Sequence, residues 1–138
     1  MTEIRRQDKK AALDALEVLL NILPKSENEI RHIAYTYGLI CREAGILEEQ
    51  ATEYILSWSE RLRALPNFKE LYPLYKKPSF YRYNVSYAVK SAYKRKNDKP
   101  SSHRFKDITG QEAPAASIWA KPKPRPAYRK SPGPRKTT

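Results

Sequence analysis

The residues best suited to chemistry lie in the segment KPKPRPAYRKSPGPRK, residues 121–136, which contains seven cations, five prolines and no acid. Proline at every second position of KPKPRP favours polyproline II and is incompatible with an α-helix. At a rise of about 3.1 Å per residue, alternate cations lie about 6 Å apart, comparable to successive phosphates along a nucleic-acid strand. The segment therefore predicts contact with a phosphate backbone through Lys121, Lys123, Arg125, Arg129, Lys130, Arg135 and Lys136.

Positive charge is concentrated in the second half of the chain. The net charge is +12, to which residues 1–70 contribute −2 and residues 71–138 contribute +14. A solvated globular surface mixes the two signs, whereas a one-sided excess of Lys and Arg is typical of a polyanion-binding protein. The sequence has no zinc-finger spacing, heptad zipper or RNP-type motif, so we expect binding without sequence preference.

The segment 121–136 has two other possible roles, as an SH3 ligand and as a solubilising tail. An SH3 ligand requires Pro-x-x-Pro, and no proline of the segment has another proline three positions on. A basic tail that only keeps the protein in solution stays an open alternative, since many such segments have no other role.

Four stretches upstream have the apolar periodicity of helices, at about residues 4–23, 27–44, 47–65 and 80–96. The first ends at Pro24, and its predicted buried stripe is Leu13, Leu16, Leu20 and Leu23. The second opens with the capping box Ser26-Glu27-Asn28-Glu29 and stops at Gly45. The third is expected to bury Leu47, Ala51, Tyr54, Ile55, Trp58, Leu62 and Leu65, while its glutamates face water or a basic neighbour and not nucleic acid.

The fourth predicted helix combines a core stripe with a basic face. Tyr81, Val85, Ala88 and Ala92 form the stripe, and Arg82, Ser86, Lys90, Tyr93 and Lys94 line another side. This face is the best candidate for ligand contact on the folded part of the chain. The predicted nucleic-acid-binding residues outside the tail are Lys76, Lys77, Arg82, Lys90, Tyr93, Lys94, Arg95 and Lys96 in the centre and Arg5, Arg6, Lys9 and Lys10 at the amino end.

These patterns predict an all-α fold, a four-helix bundle with an extended, proline-rich basic C-terminal arm. The bundle is expected over residues 1–97 and the arm over residues 98–138. Because the apolar period disappears after Asn97, the arm is not expected to bury a core of its own. Ile118 and Trp119 are the exception, as a hydrophobic anchor that docks the segment onto its own domain or a neighbour.

Catalytic, metal and membrane chemistry have little support in the sequence. There is no glycine-rich phosphate loop, no HExxH motif and no Cys–His pair at a spacing that indicates catalysis. We therefore expect no enzyme and no cofactor. His32 lacks a second ligand at metal-binding spacing, and Cys41, the single cysteine, is expected to be a core residue. No run approaches the ~18 apolar residues of a membrane span, and the polar start MTEIRRQDKK predicts no secretory signal.

The stretch NEIRHIAYTYGLICREAGILEEQATEYILSWSERL, followed by YNVSYAVKSAYKRKN, resembles the helical C-terminal domain of plasmid and phage primases. That pattern is an apolar helix, a G-hydrophobic-x-E-E turn, a second helix and a last helix ending in Ser-x-Tyr and cations. It is matched over roughly half the chain by Gly45, Glu48, Glu49, Ser91, Tyr93 and Lys94. Because the sequence carries no polymerase domain, the resemblance implies a stand-alone bundle that holds single-stranded template.

The whole chain, a short, basic, tyrosine-rich helical protein with a cationic arm, is similar to the major capsid proteins of filamentous viruses of hyperthermophilic archaea. The similarity rests on size, charge layout and arm. It implies helical subunits whose arms wrap double-stranded DNA into a nucleoprotein filament, in some cases inside a membrane envelope that the subunits do not bind directly.

Three functions from different classes remain open. The favoured one is a virion nucleocapsid protein, assembled in the host cytoplasm, that binds the phosphate backbone of double-stranded DNA and copies of itself, with or without a second related capsid subunit. It predicts no small-molecule substrate, and large subunit contacts through apolar or aromatic surface such as Tyr72, Tyr75 and Trp119. The alternatives are the primase-type bundle, which predicts a monomer that prefers single strands, and an RNA- or ribosome-associated basic protein, which predicts structured RNA as the preferred partner.

Overall fold

The computed structural model describes residues 6–95, 97–116 and 118–120, with the side chains of Arg6 and Gln7 left aside. These residues form helices and connecting turns and no strand, which confirms the all-α class for this part of the chain. The helices are α1 (Arg6–Leu20), α2 (Glu27–Glu43), α3 (Glu48–Arg63), the single turn α4 (Phe68–Leu71), α5 (Pro78–Lys94) and α6 (Ser102–Thr109), with a 3₁₀ turn at Pro73–Tyr75. None of them is long and apolar enough to cross a membrane.

Helix α2 lies at the centre and packs against α1, α3 and α5. It packs tightly against α5 at Gly38, where an added Cβ would lie 2.8 Å from Cβ of Ala92 and 3.2 Å from Cα of Val89. Glycine is therefore required here by space, because real Cβ atoms do not approach a neighbour this closely. This contact fixes α5 against α2 and so fixes which face of α5 remains outside.

The ends of α2 are set by the predicted local signals. Oγ of Ser26 accepts a hydrogen bond from the Glu29 amide at 3.2 Å. The Glu29 carboxylate accepts from the amide of Lys25 at 2.8 Å, one residue before the position that a capping box requires. At the other end, Gly45 has φ of 80° and the Ile46 amide donates to the Cys41 carbonyl at 2.9 Å, which is a Schellman stop.

The C-terminal end of α5 is held by an arginine of α2. Nη1 of Arg42 donates to the carbonyl oxygens of Ala92 at 2.7 Å and Arg95 at 2.8 Å, and Nη2 donates to that of Asp98. The last carbonyls of a helix have no partner within it, so a cation at this end satisfies them and complements the helix dipole. The segment that follows α5 is thereby held against α2.

The aromatic residues between α3 and α5 belong to the core. Rings of Phe68, Tyr72, Tyr75 and Tyr81 lie within 5.0–5.1 Å of a neighbouring ring in this cluster. The hydroxyl of Tyr72 donates to the Pro24 carbonyl at 2.6 Å, and that of Tyr81 donates to the Ser59 carbonyl at 2.8 Å. The prediction that Tyr72, Tyr75 and Trp119 offer exposed aromatic surface is wrong, because all three are buried.

The predicted apolar stripes need two corrections. Helix α1 ends at Leu20, so Leu23 lies beyond it, and Leu13 and Leu23 are exposed. The buried face of α1 is instead Ala12, Ala15, Leu16 and Leu19, whose alanines allow close packing. In the third predicted helix, Leu47, which precedes α3, and Tyr54 are exposed, while Ala51, Ile55, Trp58 and Leu62 are buried. The stripe of α5 (Tyr81, Val85, Ala88 and Ala92) is confirmed, and Val89 joins it.

Residues 98–120 differ from the extended arm that was expected to bury no core. They contain α6, which packs against α1 and α2, and Phe105 is fully buried with its ring 5.4 Å from that of Trp119. Nε1 of Trp119 donates to the Pro114 carbonyl at 2.7 Å, and the Ala120 amide donates to the Pro100 carbonyl at 2.8 Å. A simple four-helix bundle is thus not confirmed. The domain boundary at residue 97 stays a prediction.

Candidate nucleic-acid interface

The outer face of α5 carries two cations and two tyrosines. Because α5 buries its core stripe against α2 and α3, its opposite side is left open, and there Lys90 and Lys94 are exposed. Tyr83 and Tyr87, one turn apart, are 62% and 56% exposed. Their ring centroids lie 5.8 Å apart at an interplanar angle of 22°, so the two rings form a stacked pair open to water.

The other predicted cations of the described residues lie on separate surfaces. Lys76 and Lys77 are exposed in the turn before α5, and Lys9 and Lys10 are exposed on α1, which packs against α2 and α6. Lys10 forms an exposed ion pair with Asp14 at 3.1 Å. A pair of this kind holds its partners only weakly, so Lys10 remains available to another anion.

Arg82 and Arg95 are placed differently from their neighbours on α5. Nη2 of Arg82 lies 3.5 Å from Oε2 of Glu60 on α3, in an exposed pair. Arg95, just after α5, places its guanidinium 5.8 Å from the ring centroid of Tyr35 on α2. The predicted basic face is therefore split, with Arg82 turned toward α3 and Arg95 toward α2.

Tyr93 is packed into the body of the protein. Its ring lies against the core cluster and its hydroxyl donates to the carbonyl of Ile46, in the loop between α2 and α3. Burial raises the pKa of Tyr93 far above the ordinary value of a tyrosine. The predicted nucleic-acid contact of Tyr93 stays a prediction, and the tyrosines of α5 that are open to solvent are Tyr83 and Tyr87.

A groove of about 490 Å³ lies between α2 and α5 and ends at α6. We call it the α2–α5 groove. Its lining contains three arginines and three tyrosines and no carboxylate, and it combines Arg31 and Tyr35 of α2, Tyr83 and Tyr87 of α5, Arg95 after α5 and Arg104 of α6. The volume of the groove is within the range found for small-ligand sites.

Neutral groups orient two of the three arginines. Nη1 of Arg104 donates to Nδ1 of His32 at 2.9 Å, and Nη2 of Arg31 donates to Oδ1 of Asn28 at 2.9 Å. Within the described ranges, neither these guanidiniums nor that of Arg95 forms an ion pair with a carboxylate. The hydrogen bonds therefore orient the guanidiniums of Arg31 and Arg104, and no ion pair among the described residues neutralises their charge.

Two titratable groups of the groove have shifted pKa values, one lowered and one raised. Burial, followed by the charges of Arg104 and Arg31, lowers the pKa of His32, and the nearby Glu29 only partly opposes this. A neutral His32 is the form that accepts from Arg104. Beside it, burial and a hydrogen bond to the carboxylate of Asp98 raise the pKa of Tyr35, so its hydroxyl keeps its proton and donates to Asp98.

The amino end and the tail lie beyond what the structure describes. Arg5 and Lys96 are outside the described residues, and Arg6 is described only as the first residue of α1. The seven tail residues Lys121, Lys123, Arg125, Arg129, Lys130, Arg135 and Lys136 are outside as well. Their predicted phosphate contacts stay predictions.

Sequence reasoning missed the groove, because its residues come from three separate helices. In the sequence, Arg31 and His32 lie within the second predicted helix and Arg104 lies within the predicted arm, so no local pattern connects them. The only signal available was Tyr83 and Tyr87 at i and i+4, a spacing that places both rings on one face of α5.

Other chemistry has no visible centre in the described part of the chain. No group of three His, Cys, Asp or Glu side chains there could hold a metal ion. Cys41 is fully buried, as predicted, and burial raises the pKa of its thiol to about 12, which keeps it protonated and unreactive at neutral pH.

Comparison with known proteins gives no assignment: no protein-family model matches the chain, and no curated protein or solved structure matches it either. The resemblances to primase domains and to filamentous capsid proteins therefore stay hypotheses that rest on the residues themselves.

Proposed function

We propose that this is a structural, sequence-independent double-stranded-DNA-binding protein that coats and packages DNA in a helical nucleoprotein filament, as a viral nucleocapsid subunit does. The observation that carries the proposal is the division of charge, +14 over residues 71–138 against −2 over residues 1–70. An excess of this size on one half of a small chain supports contact with many phosphates at once.

The contacts begin on the folded body and continue along the arm. In this proposal the body acts as a four-helix bundle of α1, α2, α3 and α5, and Lys76, Lys77, Lys90 and Lys94, which are exposed, supply its phosphate contacts. The proline-rich arm extends from it and follows the backbone across subunits, with its cations held at phosphate spacing. Each phosphate neutralised releases condensed counterions, which drives binding without reading bases.

Assembly is supported by the opposite charge of α3. Glu48, Glu49 and Glu53 are exposed on this helix. A cationic arm that passes from one subunit to the next meets this acidic face, so neighbouring copies attract each other in a defined orientation. In this proposal the protein acts in the virion as a coat, with no catalytic step, and is made in the cytoplasm of the host.

One observation favours a second candidate, a monomeric protein that binds single strands. Tyr83 and Tyr87 are exposed and stacked. The bases of a duplex are already stacked inside it, whereas those of a single strand are free to stack on aromatic side chains. This is the arrangement that the primase-type alternative requires.

Electron microscopy of the purified protein, with and without duplex DNA at moderate salt, separates the two candidates. Regular filaments that form only with duplex DNA support the coat protein. Discrete particles that prefer single strands contradict it and support the second candidate. Filaments without nucleic acid are a third outcome, in which assembly does not depend on phosphate, and they too contradict the proposal.

A further inference from the structure

The α2–α5 groove brings together a flat aromatic surface and several uncompensated cations. The stacked rings of Tyr83 and Tyr87 form one wall, and the guanidiniums of Arg31, Arg95 and Arg104 line the rest. None of the three arginines is paired with a carboxylate within the described ranges. Such a site is suited to a ligand that is aromatic at one end and anionic at the other.

We propose that the α2–α5 groove binds an unpaired nucleotide, with its base stacked on Tyr83 and Tyr87 and its phosphate bound by Arg31, Arg95 and Arg104. This inference rests on the proposed function in one respect, that nucleic acid is the ligand of the protein. It adds a site that phosphate contacts along a duplex do not require.

The arginines are oriented for an anion before one arrives. A guanidinium has five N–H donors, and the contact with His32 uses one of those of Arg104 while the contact with Asn28 uses one of those of Arg31. The remaining donors are free to form paired hydrogen bonds with phosphate oxygens. Because the orienting partners are neutral, these hydrogen bonds do not neutralise the charges of Arg31 and Arg104, and little side-chain freedom is lost on binding.

The aromatic wall excludes a paired base. Tyr83 and Tyr87 are on α5 and remain largely exposed while stacked on each other. In a B-form duplex each base is covered above and below by its neighbours, so only the edges are accessible in the grooves. Stacking on these rings therefore requires a base that has left the duplex or belongs to a single strand.

The groove accommodates about one nucleotide. Its volume of about 490 Å³ suits a ligand of that size and is too small for a nucleic-acid duplex. The exposed Lys90 and Lys94 lie on the outer face of the same helix. A strand whose one nucleotide enters the groove is then able to place its adjacent phosphates against these lysines.

The test measures the binding of the full chain to a fluorescein-labelled oligothymidylate of about eight nucleotides by fluorescence anisotropy. The double variant Tyr83→Ala/Tyr87→Ala and the single variant Arg104→Ala are each expected to weaken binding about ten-fold or more, because they remove stacking and phosphate contact respectively. The double variant Tyr83→Phe/Tyr87→Phe keeps both rings and is expected to bind as the natural protein does.

Matched controls use an exposed tyrosine and an exposed arginine of α3. Tyr54→Ala and Arg61→Ala make the same chemical changes outside the groove and are expected to leave binding within about two-fold. Thermal unfolding followed by circular dichroism confirms that each variant is folded. Equal weakening by the control variants and the groove variants would overturn the proposal, since it would show a general loss of charge or of aromatic surface.

Two further measurements separate this proposal from the function on which it rests. Groove variants that bind the oligonucleotide as tightly as the natural protein overturn the groove alone, provided that duplex binding persists. A natural protein that binds neither single strands nor duplex overturns both proposals. Thymidine monophosphate, added as a competitor, identifies the source of the nucleotide: competition assigns the site to free nucleotides as well, and its absence assigns it to the polymer.

Discussion

At the scale of single residues, the structure distinguishes side chains that look alike in the sequence. Tyr83, Tyr87 and Tyr93 all lie on α5 among cations, yet the first two are exposed and the hydroxyl of Tyr93 is bonded to the Ile46 carbonyl. The difference comes from helical phase, since Tyr93 is turned toward the loop between α2 and α3. A tyrosine among lysines is therefore assigned to stacking or to packing only when its neighbours across the fold are known.

His32 leads to a prediction about pH. Burial and the cations Arg104 of α6 and Arg31 of α2 lower its pKa in the folded protein, against the weaker opposing effect of Glu29. In the unfolded chain the pKa of histidine is about 6.5, so the unfolded state takes up the proton first as the pH falls. The stabilising contribution is fully present above about pH 6.5 and is lost as the pH falls through the lowered pKa of the folded state.

We therefore expect the free energy of unfolding to fall between about pH 7.5 and pH 5.5, and His32→Gln to flatten this dependence. Urea unfolding of both proteins across this range measures it. Glutamine keeps an oxygen acceptor for Arg104, and His103 is present in both proteins, so the difference between them reports on His32. Identical pH dependence in the two proteins would contradict the pKa direction.

At the scale of elements, the four long helices could be predicted from sequence because each carries a sustained apolar period. The residues that end them are also local signals, such as Ser26 before α2 and Gly45 after it. Helix α6 could not be predicted in the same way. It is 8 residues long and fully buries only Phe105, so no period develops, and its place in the core depends on Trp119, 14 positions further along the chain.

Phe105 tests whether α6 belongs to the folded body. Its ring is fully buried against Trp119, so Phe105→Ala removes a large core side chain and leaves a cavity. We expect this change to lower the free energy of unfolding by about 3 to 5 kcal/mol. The measurement is the midpoint of urea unfolding.

Phe80→Ala is the matched control for this prediction. Phe80 is 49% exposed at the start of α5, so the same substitution there should cost clearly less. If Phe105→Ala unfolds at the same urea concentration as the natural protein, residues 98–120 do not stabilise the helical body, and the boundary predicted at residue 97 would stand as drawn.

At the scale of the whole molecule, charge was the most informative property of the sequence and the α2–α5 groove the least visible. Net charge is a sum over residues and does not depend on how the chain folds. Its division between the two halves of the chain is therefore known without a structure. The groove exists only because α2, α5 and α6 meet, which brings Arg104 to His32 across 72 positions of the chain and so places it in the same groove as Arg31. Long-range contacts of this kind leave no local periodicity to read.

The tail leads to a prediction about salt. If its seven cations all meet phosphates of a duplex, deleting residues 121–138 should reduce the slope of log K against log salt by about 6 in magnitude. We expect most of the affinity for duplex DNA at low salt to disappear with it, while the urea midpoint of the helical body stays the same. Filter binding of a duplex over a range of salt concentrations measures both the affinity and the slope.

Two full-length variants show which property of the tail is responsible. Replacing its seven cations by glutamine keeps the prolines and should reproduce the deletion, since the counterion term depends on charge alone. Replacing its five prolines by alanine keeps every charge and should leave the slope unchanged while weakening affinity, because a more flexible chain loses more entropy when it is ordered on the backbone. A slope that survives the glutamine variant would mean that the cations of the folded body, and not those of the tail, carry the contact with DNA.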